Sequence, residues 1–169
     1  AMLHDVGKVA ISDLILKKTD RLSPEEFAIM KSHTYLGARL FKNMQSDFEE
    51  VAAQVALNHH EKWDGTGYPG YLDPFSAEAL AGHEPTGRTP LPKKGEDIPL
   101  YGRIVSVADV YDALISKRSY KDPWDEGRVL EEMRRLSGKS FDPDVMKAFF
   151  DSLDTLKAIA KRYPDVNGE

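Results

Sequence analysis

The chain has 169 residues, of which 41% are hydrophobic and 30% are charged, and this composition is typical of a globular protein with one domain-sized core. The absence of cysteine excludes disulfides and thiolate metal ligands, so any metal must be held by histidine and carboxylate. A formal net charge of -5 gives no electrostatic footprint for duplex nucleic acid or an anionic membrane. No apolar run is long enough to span a bilayer and no signal peptide is visible, which predicts a cytoplasmic protein without membrane insertion.

A helix is predicted from Ser23 to Met44. Ser23 is a good N-cap, Pro24 suits the first helical position, and Glu26 completes a capping box. Counted at about 100° per residue, one face of this helix is apolar and is expected to be buried. That face consists of Phe27, Ile29, Met30, Leu36, Gly37, Leu40, Phe41 and Met44. His33 falls in its middle, where the spacing alone favours a core histidine bonded to backbone over a metal ligand.

A second helix is predicted to start at Asp47, with Glu50 three residues later, and to end in a pair of histidines. Its expected buried face consists of Phe48, Val51, Ala52, Val55 and Ala56. His59 projects onto this face, and His60 lies about 100° away from it. The two imidazoles either bind one metal from the last helical turn or are ordinary residues at a helix C-terminus, where the helix dipole favours them.

The histidine pair opens a glycine-punctuated turn with the sequence Asn58-His59-His60-Glu61-Lys62-Trp63-Asp64-Gly65-Thr66-Gly67-Tyr68-Pro69-Gly70. Paired histidines beside such a rigid loop indicate a metal site with a substrate lip. Residues 71–95 follow without any sustained period and predict a surface excursion, with one helical turn at Ala77 to Ala81. His83, inside the excursion, is expected to be a solvated loop histidine.

Pro99 to Lys117 is predicted to be the most apolar helix and to be buried on most sides. Asp109 and Asp112 nevertheless share one narrow face with Ser116. Buried carboxylates need a partner, and a bound cation and a salt bridge are equally open here. The basic candidates for such a salt bridge are Arg103, Lys117 and Arg118.

The remainder of the chain is predicted to be a basic turn followed by helices. The turn runs from Ser116 to Pro123, and the helices from Trp124 to Leu136 and from Pro143 to Tyr163. Asp142 caps the last helix, which is expected to break near residues 151–154. No strand, internal repeat or glycine-rich nucleotide loop is indicated, so the predicted fold class is all-α.

Taken together, the motifs resemble those of the HD-GYP family, which are cyclic di-GMP phosphodiesterases within the HD group of metal-dependent phosphohydrolases. The motifs are His4-Asp5-Val6-Gly7-Lys8, Met30-Lys31-Ser32-His33, His59 to Pro69, Ile98-Pro99-Leu100, Arg103-Ile104-Val105, Ala108 to Leu114 and Arg118-Ser119-Tyr120-Lys121. The resemblance covers about residues 2–150. It implies one domain over residues 1–169, an HD-domain helical bundle with an irregular insertion at 71–95 and a C-terminal helix at 143–163.

The resemblance also implies roles for individual residues. The implied metal ligands are His4, Asp5, His33, His59, His60 and Asp109. They would hold two or three divalent ions, with iron or manganese favoured, and Asp5 would bridge two of them. Asp5 and Lys8 would carry catalysis, with Lys8 over the scissile phosphate. Tyr68 would line the substrate lip, while Arg118 and Lys121 would grip phosphates or guanine edges.

The function implied is hydrolysis of cyclic di-GMP to linear pGpG and onward to GMP. Family members carry a helix upstream of the His-Asp pair that supplies another histidine, and Ala1-Met2 reads as the remnant of a cleaved tag and an initiator methionine. The excursion at 71–95 is also longer than the usual link. These departures lead to the alternative of a catalytically impaired module that binds cyclic di-GMP or signals with it. Another HD hydrolase acting on nucleotides is a third interpretation, which the Gly-Tyr-Pro turn disfavours.

Two further expectations concern partners. Longer relatives carry a sensor or receiver domain, which would control the activity. An apolar seam left by a missing upstream helix would favour homo-oligomers, and the missing ligand would lower metal occupancy and turnover.

Overall fold

The computed structural model describes residues 3–43, 45–83, 90–116 and 124–162, and these residues form eight α-helices and two short 3-10 helices. The first 3-10 helix, Val6–Ala10, precedes α1 (Asp13–Leu16), α2 (Pro24–Lys31), α3 (His33–Arg39) and α4 (Asp47–Asn58). The second, Gly95–Asp97, precedes α5 (Leu100–Ile115), α6 (Glu126–Leu136), α7 (Pro143–Asp151) and α8 (Leu153–Arg162). The described ranges contain isolated bridges but no strand, which confirms the all-α class. No described helix is long and apolar enough to cross a bilayer.

Several helix ends form where the capping pattern places them. The Ser23 hydroxyl accepts the Glu26 N–H at 3.2 Å, and the Glu26 carboxylate accepts the Ser23 N–H at 2.7 Å, which completes the predicted capping box of α2. Asp142 caps α7 with Pro143 at its first position. The expected break within the last helical region falls at Ser152, between α7 and α8.

The cap of α4 differs from the prediction by one residue. The structure uses Ser46, whose hydroxyl accepts the Glu49 N–H, instead of Asp47 with Glu50. The helix itself still begins at Asp47. Sequence patterns rarely fix a helix end more closely than this.

The predicted continuous helix from Ser23 to Met44 is wrong, because Ser32 interrupts it and α3 ends at Arg39. The Ser32 hydroxyl donates to the Ile29 carbonyl at 2.6 Å, so the side chain competes with the backbone ladder where the helix is interrupted. Residues on the two sides of the break therefore do not share one buried face. The side chains expected inside but found exposed are Phe27, Ile29 and Leu40.

Four other local predictions are also wrong. Phe48 at the start of α4 is 70% exposed, and α5 has an open side on which Leu100 is 50% exposed. Residues 77–81 form no helical turn; Ala79 instead pairs with Leu72 in an isolated bridge. His83 is half-buried, with its ring stacked on Tyr71 at a centroid distance of 3.8 Å.

The hydrophobic core lies between α5, α6 and α7. Its buried members are Val107, Val129, Met133, Phe141, Met146 and Phe149. A second packed region joins the first 3-10 helix, α3, α4 and the N-terminal half of α5. The functional residues project from this second region.

Candidate metal centre

The first 3-10 helix lies directly against the backbone of α3. A Cβ atom at Gly7 would lie 1.9 Å from the His33 carbonyl oxygen and 2.5 Å from the Gly37 nitrogen, so only glycine fits at this position. Asp5 is the residue that precedes this helix. The close backbone contact therefore places the Asp5 carboxylate beside His33.

A similar close approach joins α5 to the end of α4. A Cβ atom at Gly102 would lie 2.9 Å from the Asn58 Cβ, so α5 passes close to the residue before the histidine pair. Asp109 lies about two helical turns further along α5. The α4–α5 contact thus brings Asp109 to the same side of the molecule as His59 and His60.

The imidazoles of His33 and His59 face one another with their Nε2 atoms 3.3 Å apart. The Nδ1 atom of His33 lies 2.7 Å from the Met30 carbonyl oxygen, and that of His59 lies 3.0 Å from the Ala56 carbonyl oxygen. A carbonyl oxygen only accepts, so each Nδ1 carries the proton and each neutral ring turns an Nε2 lone pair toward the other. A cation bound by both nitrogens would satisfy these two facing lone pairs in their buried setting.

Asp5 completes this group of lone pairs. Its Oδ1 atom lies 3.5 Å from the His33 Nε2 and 3.8 Å from the His59 Nε2, is buried, and has no hydrogen-bond partner. One ligand atom from each of Asp5, His33, His59 and His60 lies within 4.8 Å of the others. The predicted cluster of one carboxylate and three histidines is therefore assembled in space.

His4 and Asp109 lie on the other side of the same carboxylate. The His4 Nε2 is 3.4 Å from the Asp5 Oδ2 and 3.5 Å from the Asp109 Oδ1. Asp109 pairs with histidine here, while Arg103 pairs with Asp142. The structure thus brings together all six residues that the motifs nominate as ligands, with Asp5 between two groups.

The electrostatics keep these groups in the state that metal binding needs. Burial, with the neighbouring His59 and His33, lowers the pKa of His60 to about 3, and burial also lowers the pKa of His33. The contact with His4 lowers the pKa of Asp109. Burial opposes ionisation of Asp5, but its contacts with His4 and with the Lys8 ammonium outweigh it and hold its pKa below the usual range. His33 and His60 are therefore neutral, and Asp5 and Asp109 are ionised, at neutral pH.

Lys8 and Tyr68 border the cluster. The Lys8 ammonium donates to the Asp5 Oδ2 at 2.6 Å and its side chain is 41% exposed, so it faces both the cluster and solvent. The Tyr68 ring lies 4.8 Å from the His60 ring. Burial, with Asp5 and Asp109 nearby, raises the Tyr68 pKa, so its hydroxyl stays protonated. The remaining nominated residues, Arg118 and Lys121, lie outside the described residues.

Buried polar contacts that no sequence pattern predicts fix the turn that carries Tyr68. The Glu61 Oε1 accepts the Gly70 N–H at 2.6 Å, and the Lys93 ammonium donates to the Asn58 side-chain oxygen at 2.6 Å. Burial raises the pKa of Glu61 and lowers that of Lys93. Glu61 follows the histidine pair directly, but no local pattern reveals its distant partner Gly70 or the burial of Lys93.

The turn is also held by the C-terminal half of the chain. The Trp63 N–H donates to the Ser140 carbonyl at 3.1 Å, and the Asp64 N–H donates to the Lys139 carbonyl at 2.8 Å. The Arg103 guanidinium packs against the Trp63 ring, 5.8 Å from its centroid. The turn is therefore held both by its own buried contacts and by residues from the C-terminal half of the chain.

The donor set fits divalent transition-metal ions. Neutral imidazoles with carboxylates suit iron, manganese or zinc, and no thiolate is available. The backbone carbonyls that accept the Nδ1 protons fix the ring orientations, as outer hydrogen bonds do in metal sites. The orphaned Asp5 Oδ1 is the kind of buried acceptor that a cation would satisfy.

Comparison with known proteins identifies the family. Residues 1–114 match the HD domain family, and the chain belongs to it. It is 40% identical to the 3'3'-cGAMP-specific phosphodiesterase 2 of Vibrio cholerae, over 96% of this chain and 27% of the relative. It is 39% identical to the cyclic di-GMP phosphodiesterase of Thermotoga maritima, over 98% of this chain and 39% of the relative. The resemblance to the HD-GYP family is thereby confirmed.

A solved structure shows the same fold. The crystal structure of a cyclic GMP-AMP-specific phosphodiesterase of V. cholerae matches with a TM-score of 0.59 at 18% identity, covering 97% of this chain and 39% of that chain. The predicted HD-domain architecture is confirmed by this match. The chain spans 27% and 39% of the length of the two curated relatives described above.

Proposed function

We propose that the chain is a metal-dependent phosphodiesterase that opens cyclic dinucleotides, with cyclic di-GMP as its substrate, linear pGpG as the first product and GMP as the second. The observation that carries the proposal is the pair of Nε2 lone pairs on His33 and His59, 3.3 Å apart beside the orphaned Asp5 oxygen. Relatives at 40% and 39% identity bear the names of cyclic dinucleotide phosphodiesterases, which supports the substrate class.

The proposed centre has two halves that share Asp5. One half consists of Asp5, His33, His59 and His60, and the other of Asp5, His4 and Asp109. Divalent cations held there would lower the pKa of a water molecule and neutralise negative charge on the phosphate. Iron and manganese suit this mixture of imidazole and carboxylate.

The chain's own residues orient the substrate and stabilise developing charge. The Lys8 ammonium, 2.6 Å from Asp5 and partly exposed, is placed to donate to a phosphate oxygen. Tyr68 forms the lip beside His60 and keeps its proton, so it donates a hydrogen bond to the substrate. Arg118 and Lys121 are proposed to bind phosphates or guanine edges from the segment after α5.

The test is turnover of cyclic di-GMP by the purified chain, first stripped of metal and then reloaded with manganese or ferrous iron. We expect metal-dependent conversion to pGpG, and chromatography of the products would measure it. Asp109→Ala should abolish turnover and should also lower the metal content. Asp112→Ala, an exposed carboxylate three residues along the same helix, is the matched control and should retain both.

Two outcomes would contradict the proposal. If the metal-loaded chain binds cyclic di-GMP without cleaving it, the chain is a binding module. If Asp109→Ala retains its metal and turnover, Asp109 is only an ion-pair partner of His4.

A further inference from the structure

A cavity of about 440 Å³ lies behind the lip, next to the candidate centre and separate from it. Its walls come from the α2–α3 region, the Gly-Tyr-Pro turn and three residues beyond that turn, Leu72, Pro90 and Pro92. Residues that line it include Lys31, Tyr35, Tyr68, Leu72 and Pro92, and none of the six candidate ligands does. This volume lies within the roughly 300–1,000 Å³ usual for small-molecule sites.

The backbone of residues 74–75, which follows Leu72 in the cavity wall, is hydrogen-bonded to α3. The Arg39 guanidinium donates through Nη2 to the Phe75 carbonyl at 3.0 Å and through Nε to the Pro74 carbonyl. Leu72, which lines the cavity, is buried at 8% exposure.

Tyr68 connects the cavity to the centre. It lines the cavity, and its ring also lies 4.8 Å from that of His60. A group bound against Tyr68 in the cavity is thus one aromatic ring away from a phosphate at the metal cluster. In a nucleotide, the base is joined to the phosphate through a ribose, which provides a linkage between two such neighbouring positions.

The chemistry of the walls suits a purine base. Tyr35 and Tyr68 provide aromatic surface, on which nucleobases stack. The Lys31 ammonium lies 5.7 Å from the centroid of the Tyr68 ring and 5.2 Å from that of Phe27, so the two rings hold it at the cavity. Lysine donates to the N7 and O6 acceptors of guanine, whereas adenine presents an amino group in place of O6.

We propose that this cavity is a guanine subsite in which Tyr35 and Tyr68 contact the base and Lys31 selects guanine over adenine. The proposal rests on the proposed function for the position of the phosphate, and it adds the base preference and the residues that set it. The competing explanation is that Lys31 is only a lysine at the C-terminus of α2, favoured there by the helix dipole.

The experiment is calorimetric binding of GMP and of AMP to the manganese-loaded chain. We expect GMP to bind about tenfold more tightly than AMP, as one discriminating base contact allows. Lys31→Met should remove this preference. Tyr35→Leu should weaken both nucleotides about tenfold and leave their ratio unchanged. The matched controls, Lys147→Met on α7 and Tyr101→Leu on α5, replace exposed residues outside the cavity and should change neither affinity.

The proposal is overturned if the unaltered chain binds GMP and AMP equally, if GMP shows no binding at millimolar concentration, or if Lys31→Met keeps the preference. The first two results do not depend on the folding of any variant. Turnover of cyclic di-GMP, measured on the same preparation, separates this proposal from the proposed function. A GMP preference without turnover would refute the function alone, and turnover without a GMP preference would refute the subsite alone.

Discussion

Replacing Gly7 with alanine should displace the first 3-10 helix from α3 and open the metal cluster. The new Cβ atom would lie 1.9 Å from the His33 carbonyl oxygen, and ordinary van der Waals contact begins at 3.4 Å, so the backbones must separate by about 3.4 − 1.9 = 1.5 Å. Asp5 precedes this helix and would move with it. A displacement of about 1 Å at a functional group can lower activity on the order of 100-fold.

A graded glycine series makes this prediction quantitative. A Cβ atom at Gly37 would lie 3.1 Å from the Gly7 nitrogen, which requires a shift of about 3.4 − 3.1 = 0.3 Å, and alanine also has the better helix propensity. Gly127, in the first turn of α6 and remote from the cluster in the fold, is the control. Manganese affinity, measured by calorimetry, should fall strongly for Gly7→Ala, slightly for Gly37→Ala and not at all for Gly127→Ala.

Stability should also fall most for Gly7→Ala, because a Cβ atom there makes the shortest contact of the three. Overpacking of this kind typically destabilises by about 1–3 kcal/mol, which urea unfolding of the metal-free chain would measure for Gly7→Ala. If Gly7→Ala binds manganese as tightly as the unaltered chain and unfolds at the same urea concentration, the backbone contact does not position Asp5.

Three further predictions concern Lys8, Arg103 and His60. Lys8→Met should lower turnover of cyclic di-GMP on the order of 100-fold, because the ammonium that would stabilise charge on the phosphate is removed. Metal content should stay unchanged. A parallel loss of metal would instead make Lys8 a structural partner of Asp5. Arg103→Met should lower the free energy of unfolding in urea by about 3 kcal/mol, because it leaves the Asp142 carboxylate, 3% exposed, without its cation. Adding Asp142→Asn should recover this stability. A double variant no more stable than Arg103→Met would show that the buried charge is not the cause. Because the folded chain lowers the pKa of His60 to about 3 from 6.5, the metal-free chain should lose stability as pH falls below 6.5, by roughly 1.4 kcal/mol per pH unit at most. Urea unfolding at pH 7 and 5.5 should show a smaller loss for His60→Gln, and equal losses would rule out this histidine as the cause.

Local sequence patterns predict those parts of the fold that local interactions determine. The capping box of Ser23 and Glu26 and the Asp142 cap are satisfied within three residues, so their patterns give the correct helix starts. The interruption at Ser32 depends instead on a side-chain hydroxyl that competes with the backbone. Periodicity alone does not reveal that interruption, and it therefore wrongly places Phe27 inside.

The residues of the candidate centre were predictable from their motifs, but their arrangement was not. His33 illustrates the difference: its spacing favoured a core histidine bonded to backbone, and its Nδ1 does contact the Met30 carbonyl. Its Nε2 nevertheless faces His59, from a helix that is distant in the sequence. The burial of Lys93 and the bond from Gly70 to Glu61 likewise depend on contacts between distant segments. No local signal encodes such pairings.

Electron paramagnetic resonance of the manganese-loaded chain tests whether Asp5 is shared by two metal sites. With two equivalents of manganese, we expect the spectrum of a magnetically coupled ion pair, because one carboxylate faces both groups of ligands. Asp5→Ala should lose this coupling and most of the bound metal, whereas the exposed Asp112→Ala should keep both. An uncoupled spectrum from the fully loaded unaltered chain, or coupling that survives in Asp5→Ala, would show that Asp5 is not shared by two ions.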